Sequence, residues 1–311
     1  MSNASIRIEQ LMLPTYPEPG KEEMPLFSEH RVHQRSTGRP YPNKVTLEVN
    51  RERKIERSYT VVHLENEYLD VLVLPEIGGR IFAARDKVTD YDFFYRQHVI
   101  KPGLIGALGS WISGGVEFNW PYHHRPSGFL PCDFETEECG DGSVICWLSE
   151  HDPIDRMKGM VGIVLRPGCA YLETRVKLCN RTPVTKSFLW WENAAVPVNE
   201  SYQIFFPKDV TYVNFHYLDS RISYPIAGDA TFNGIDMTTA RDISWHKNTK
   251  DATSYFACAS QYDFFGGYDH GLDCGVVHIG DHHISPGKKM FTWAYNQLSK
   301  TWENTLTDTD G

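Results

Sequence analysis

One short segment of the chain holds most of the side chains that could bind or transform a ligand. In residues 111–126 (WISGGVEFNWPYHHRP) a pair of glycines precedes a carboxylate, an amide, an indole, two imidazoles and a guanidinium. Planar polar groups form paired hydrogen bonds with vicinal hydroxyls, and an indole covers the apolar C–H face of a sugar ring. The segment therefore favours a carbohydrate site, and the alternative is a rigid loop whose side chains bond internally. The candidate residues are Glu117, Asn119, Trp120, His123 and His124.

A second candidate stretch covers residues 188–198 (FLWWENAAVPV). Along a strand, Glu192 lies on one face while Trp191 and Asn193 lie on the other. Glu192 in this aromatic setting is a candidate acid or base, and a structural ion pair is the alternative. Trp191 is a candidate wall of a ligand cleft.

Arg80 ends a buried apolar strand directly after two glycines, in the sequence PEIGGR (residues 75–80). Two interpretations stay open for this position. The glycines and the arginine could form a bulge or corner of a sheet. Alternatively, they could direct Arg80 towards a ligand.

Histidine and carboxylate also combine in residues 268–273 (YDHGLD) and 278–283 (HIGDHH). Imidazole and carboxylate suit zinc, manganese or iron. Their spacing matches no metal motif, because His-Glu-x-x-His and any third-ligand pattern are absent. We therefore expect solvated loop histidines here, with no metal and no cofactor.

Composition restricts the class of partner. The net charge of -9 and the lack of a basic run predict no nucleic-acid partner and no anionic-membrane surface. The sequence has seven cysteines and no Cys-x-x-Cys pair, so we expect these cysteines to be reduced thiols. Neither a leader-like apolar region nor a membrane-length apolar stretch is present, which favours a cytoplasmic location.

The elements that must position these residues are predicted to be strands. Apolar residues alternate with polar ones in 59–66 and 171–178, residues 68–74 are apolar on both faces, and turn formers separate such runs. These patterns predict an all-β fold. Residues 1–55, rich in proline, are interpreted as an N-terminal extension packing on the main sheet, and residues 56–311 as the main domain. Residues 306–311 (LTDTDG) have the composition of a turn, and no strand follows them. Two interpretations stay open, namely a frayed chain end and a natural protein that continues beyond this point.

Several segments together resemble bacterial domains of unassigned function with a galactose-mutarotase-like fold, which are often followed by tetratricopeptide repeats. These segments are residues 75–80, 114–126, 191–198 and 287–293, with Trp302 and residues 306–311. The resemblance implies a large twisted antiparallel β-sandwich, the supersandwich, truncated at its C-terminus in this chain. It also implies a carbohydrate ligand and a protein partner for repeats beyond this chain.

In the wider mutarotase superfamily, two histidines, an aspartate and a glutamate surround the sugar. The glutamate takes the anomeric hydroxyl proton while a histidine gives one to the ring oxygen. The resemblance matches His123 or His124 to the first histidine, and Asp269, beside His270, to the aspartate. A second histidine is missing near Asn193, and the glutamate strand is expected beyond Gly311.

Three functions follow from these residues. The leading one is a carbohydrate-binding domain related to aldose 1-epimerases, acting on a sugar or glycoside by general acid–base chemistry. The second is a glycoside hydrolase using Glu117 and Glu192, whose carboxyl groups would lie about 5 Å apart for retention or roughly 6.5 to 9.5 Å for inversion. The third is a non-catalytic sugar-binding or scaffold domain attached to protein-interaction repeats.

The first function assigns a role to each candidate residue. Arg80, Trp120 and Trp191 shape the cleft, His124 and Asp269 bind hydroxyls, and Glu117 or Glu192 is the base. Asn119, His123 and His270 complete the set of predicted ligand contacts.

Overall fold

The computed structural model confirms that the chain is nearly all β, with several antiparallel sheets. It describes residues 3–17, 53–103, 111–121, 124–125, 127–152, 156–215, 221–227, 231–232, 235–236, 242–249, 252–292 and 305–308. The chain forms two compact units. Unit 1 contains residues 1–196 and 305–311, and unit 2 contains residues 197–304.

Unit 1 contains two antiparallel sheets. The large sheet has the order β1 (Ser5–Thr15), β2 (Ile55–Glu65), β3 (Leu69–Leu74), β4 (Arg80–Asp86), β6 (Val116–Asn119) and β11 (Trp191–Ala194), with β5 (Tyr91–Asp92) beside β4. The second sheet has the order β10 (Leu172–Asn180), β9 (Met157–Leu165), β8 (Val144–His151) and β7 (Asp133–Glu138).

The two sheets of unit 1 pack face to face as a sandwich. In the large sheet, Val62 lies opposite Val73 and Leu64 lies opposite Val71, and all four side chains are fully buried. Ile81 pairs with both Val73 and Val116, so alternation carries this buried face across β4 to β6. We call it the sandwich face.

The opposite face of the large sheet, here called the site face, is also covered by apolar groups. They include Tyr59, Val61, Phe82, Ile100 and Ile112. Burial on both faces explains why residues 68–74 are apolar without alternation. The same burial places the polar residues of the site face among apolar side chains.

The N-terminal segment takes part in the large sheet directly. β1 pairs antiparallel with β2 along its whole length, from Ser5 opposite Glu65 to Thr15 opposite Ile55. Most of the remaining part of the predicted extension, residues 18–52, lies outside the described residues.

Residues 305–308 return to unit 1. Leu306 is buried, and Lys101 Nζ donates to the Thr307 carbonyl at 2.5 Å. Asp308 accepts hydrogen bonds from Lys54 Nζ at 2.8 Å and from His98. This stretch therefore belongs to the packing of unit 1.

Unit 2 has its own sheets and core. Its strands are β12 (Tyr202–Phe205), β13 (Tyr212–Phe215), β14 (Arg221–Ser223), β15 (Thr231–Phe232), β16 (Ile235–Asp236), β17 (Thr253–Ala257), β18 (Phe264–Asp269), β19 (Cys274–Ile279) and β20 (Lys288–Thr292). They form the sheets β12-β18-β19, β14-β13-β17-β20 and β15-β16. The core centres on Val213, Ile243 and Tyr255, which are all fully buried. No helical segment in the described part of the chain has the length and apolar character that crossing a membrane requires.

Candidate functional site

Two short strands bring polar residues together on the site face. β6 pairs antiparallel with β11, so Glu117 lies opposite Asn193 and Asn119 lies opposite Trp191. Cross-strand partners point to the same face of a sheet. The predicted sharing of one face by Trp191 and Asn193 therefore holds, and Glu117 joins them.

A glycine pair allows β6 to begin in this position. Gly114 and Gly115 have φ of 88° and 71°, a region that side chains with a Cβ rarely adopt. A Cβ on Gly115 would lie 2.1 Å from the Ile81 carbonyl oxygen. The two glycines therefore let the chain pass close to β4 just before Glu117.

Glu117 is a carboxylate surrounded by donors. Its Oε1 accepts a hydrogen bond from Asn193 Nδ2 at 2.8 Å and lies 3.3 Å from His124 Nδ1. Burial alone would raise the pKa of this carboxyl group, but His124, Arg80 and Asn193 outweigh it and lower the pKa to about 2. Glu117 is therefore ionised at neutral pH.

His124 lies between two indoles. Its ring centroid is 4.0 Å from that of Trp111, in an edge-to-face contact, and 5.0 Å from that of Trp191. Trp111, Glu117, His124, Trp191 and Asn193 are all partly exposed. We call these five residues the indole–imidazole cluster.

Hydrogen bonds from Arg125, the neighbour of His124, hold the loop that carries both residues. The backbone N–H of Arg125 donates to Asn119 Oδ1 at 2.9 Å. Its guanidinium donates to Glu150 Oε2 at 2.7 Å and to the Gly78 carbonyl. Asn119 is only 2% exposed, so it holds the loop and does not offer its side chain to a ligand.

Comparison with known proteins identifies the family. The profile described as "Domain of unknown function (DUF5107)" matches residues 37–311. The chain belongs to the DUF5107 family. The expected relation to a family of unassigned function is thereby confirmed, while the galactose-mutarotase-like class stays a prediction.

A solved structure shares the fold of this DUF5107 chain. It is the crystal structure, at 2.26 Å resolution, of a TPR-domain containing protein from Parabacteroides distasonis ATCC 8503. The TM-score is 0.79 at 22% sequence identity, and the match covers 98% of this chain and 49% of the other. The DUF5107 chain thus spans about half the length of the protein it resembles.

Arg80 has a structural role in this DUF5107 domain. It is 2% exposed, and its guanidinium donates to the carbonyl oxygens of Ile112 at 3.0 Å and Gly114 at 2.8 Å. Weaker bonds reach the carbonyls of Ile77 and Gly128, each at 3.3 Å. Of the two interpretations of Arg80, the corner of a sheet is therefore the one that the contacts support. Its charge also lowers the pKa of Glu117 through space.

Trp120 and Glu192 lie on the sandwich face, away from the cluster. Trp120 is 5% exposed, and its indole occupies the space in which a Cβ on Gly159 would lie. Glu192 is opposite Phe118 and accepts a hydrogen bond from Thr174 Oγ1 of β10 at 2.9 Å. Trp120 therefore packs in the core. Because Glu192 points to the opposite face from Glu117, the two carboxylates do not form a glycosidase pair.

Three predicted residues remain, namely His123, Asp269 and His270. His123 lies outside the described residues. Asp269, in unit 2, is 3% exposed and accepts bonds from Asn199 Nδ2 at 2.5 Å and from the Gly271 backbone N–H at 2.8 Å, so it caps a turn. His270, also in unit 2, is exposed, stacks on Trp245 and contacts Gln203.

Two members of the cluster were missing from the predicted site. Asn193 could have been found, because it shares a strand face with Trp191. Trp111 begins the chemically dense segment, but its contact with His124 depends on how the loop folds back. No spacing rule predicts such a contact.

Proposed function

We propose that this chain is a carbohydrate-binding domain whose ligand lies against the indole–imidazole cluster. The observation that carries the proposal is the position of His124, which lies between two indoles and beside an ionised carboxylate. Indole faces cover the C–H face of a sugar ring. Glu117 and Asn193 supply an acceptor and a donor for hydroxyl groups.

Within this proposal, His124 is the residue that would transfer a proton. Glu117 is ionised at neutral pH, so it is a poor proton donor. Its contact with Nδ1 orients the imidazole between the two indoles. The proposal also relates the domain to aldose 1-epimerases, and it relates the sandwich of unit 1 to the galactose-mutarotase-like fold.

A protein-interaction role for the longer natural protein is a second proposal. The similar solved structure is that of a TPR-domain containing protein, and this chain spans about half its length. Repeats of that kind offer a concave surface for a partner. Under this second proposal the sugar site would deliver the repeats to a glycan rather than catalyse a reaction.

The test is saturation-transfer NMR with a panel of free aldoses and methyl glycosides. Glu117→Gln and His124→Ala should each weaken binding roughly tenfold or more, since a hydrogen bond to a charged group contributes about 1.5–3 kcal/mol. Trp191→Ala should also weaken binding, because it removes the indole face that covers the sugar ring. Glu137→Gln and His151→Ala are matched controls, because both residues lie on the second sheet. They should bind as the parent chain does.

The same samples separate binding from catalysis. Faster exchange between the α and β anomers of a bound aldose, lost in His124→Ala, supports acid–base chemistry. Binding without faster exchange leaves the recognition role alone. Unchanged binding in all three cluster variants would refute the proposed site.

A further inference from the structure

A second group of potential ligands lies at the end of the β18–β19 hairpin in unit 2. Phe264 at the start of β18 pairs with Ile279 at the end of β19. The residues flanking these strands are therefore neighbours, and the Gly280 N–H donates to the Asp263 carbonyl at 2.7 Å. This pairing brings Asp263 beside the turn formed by residues 281–283.

Two imidazoles and two carboxylates meet there. His282 Nδ1 is 2.7 Å from Asp263 Oδ1, and His283 Nδ1 is 3.0 Å from Asp281 Oδ1. The two imidazole centroids are 3.9 Å apart. One ligand atom from each of Asp281, His282 and His283 lies within 4.8 Å of the others.

The backbone holds this arrangement. The His282 N–H donates to Asp263 Oδ1 at 3.0 Å, and the His283 N–H donates to Asp281 Oδ1 at 2.9 Å. The Ser285 N–H closes the turn on the Asp281 carbonyl at 2.8 Å. Backbone N–H groups thus contact both carboxylates, and the turn places His282 and His283 beside them.

We propose that Asp281, His282 and His283, with Asp263 as the fourth group, bind a divalent transition-metal ion such as Zn²⁺. Mixed imidazole and carboxylate ligands suit Zn²⁺, Co²⁺, Ni²⁺ and Cu²⁺, whereas Mg²⁺ and Ca²⁺ prefer oxygen alone. The inference is independent of the sugar site, since it rests on unit 2 only.

The distances allow one ion with a small adjustment. Zinc binds nitrogen and oxygen at about 2.0–2.2 Å, so two ligand atoms on one ion are at most about 4.4 Å apart. The observed limit of 4.8 Å exceeds this by a few tenths of an ångström. The His283 side chain is 78% exposed and that of Asp281 is 56% exposed, so both can rotate.

A bound ion would connect the two ends of the hairpin. Asp263 precedes β18 and the other three residues follow β19, the edge strand of its sheet. An ion shared between them would hold β19 against β18 at the end where the hairpin has no connecting turn. Metal binding would therefore stabilise unit 2.

The test is calorimetric titration of the untagged full chain with ZnCl₂, followed by thermal melting. We expect about one site per chain. Zinc binding should be lost in His282→Ala/His283→Ala, and Asp263→Asn should bind about 10- to 100-fold more weakly. Zinc should raise the melting temperature of the parent chain but not that of the double variant.

Nearby residues of the same types provide controls. His278→Ala and Asp273→Asn remove an imidazole and a carboxylate from the same hairpin, and both variants should bind zinc as the parent does. The single variant His283→Ala covers the case in which the double variant folds poorly, because that side chain is mostly exposed. Absence of zinc binding, equal binding of MgCl₂, or full binding by both His283→Ala and the double variant would overturn the proposal.

Discussion

At the scale of single residues, the candidate site depends on how one mostly buried carboxylate is kept ionised. Glu117 has lost most of its water, and this loss alone would favour the protonated form. His124, Arg80 and Asn193 reverse the preference. The sequence could predict Glu117 and His124 as site residues, because both stand in a dense polar segment. It could not predict that the buried charge of Arg80 would act on Glu117, since that depends on the pairing of β4 with β6.

We expect Glu117 to contribute to acid sensitivity. Its pKa is depressed from 4.5 to about 2 in the folded chain, so its stabilisation is present above about pH 4.5 and is lost as the pH falls through 2. The contribution is at most about 3 kcal/mol. Urea unfolding of Glu117→Gln from pH 7 to pH 2 should show a shallower fall in the free energy of unfolding than the parent chain. Equal slopes, or a shallower slope in the control Glu137→Gln, would contradict this account.

Arg80 should behave as a structural residue. Replacing it with Met leaves buried carbonyls of three loops without a donor, and we expect a loss of roughly 3–5 kcal/mol in the free energy of unfolding. Urea denaturation measures this. Arg85→Met is the control, because that guanidinium is half exposed, and it should change stability little. A stable Arg80→Met variant that had lost only ligand binding would instead support the ligand-contact interpretation.

At the scale of elements, strand alternation carried most of the correct predictions. It placed Trp191 and Asn193 on one face and Glu192 on the other, and the β6–β11 register confirms this. Alternation does not say which face is covered by the second sheet. Trp120 was therefore predicted as a ligand contact, although it shares the sandwich face with Phe118 and packs against β9.

The contact between the two sheets of unit 1 should be sensitive to one glycine. A Cβ on Gly159 would lie 2.1 Å from Trp120 Nε1, so Gly159→Ala should cost about 1–3 kcal/mol by overpacking. Adding Trp120→Phe should recover part of that loss, which a double-mutant cycle of urea denaturation measures. Gly140→Ala is the control, because no atom of the described residues lies within 4 Å of its added Cβ. Strict additivity of the two substitutions would argue against the packing described.

At the scale of the whole molecule, the all-β class could be predicted because it depends on local periodicity. The sequence also predicts an N-terminal extension over residues 1–55 and a main domain over residues 56–311, and this division stays a prediction. The structure forms two compact units that divide near Pro197. No composition change marks that point, since the division reflects which strands pair over long distances. The grouping of Asp263 with residues 281–283 was hidden for the same reason, because it needs the β18–β19 register.

The return of residues 305–308 to unit 1 gives a prediction at this scale. Asp308 bonds with Lys54 and His98, and these partners hold its pKa well below the ordinary value. Asp308→Asn should lower the melting temperature at pH 7, and the difference should disappear in acid as the parent carboxyl group becomes protonated. Asp90→Asn, an exposed carboxylate, should change little. An Asp308→Asn variant that melts at the same temperature as the parent at pH 7 would refute this role of Asp308.

The most direct test of the carbohydrate proposal is a crystal structure soaked with a panel of monosaccharides. We expect a sugar ring against Trp111 or Trp191, with its hydroxyl groups bonded to Glu117, His124 or Asn193. A ring bound instead at the Trp245–His270 surface of unit 2, or no ring at the cluster at high sugar concentration, would contradict the proposal.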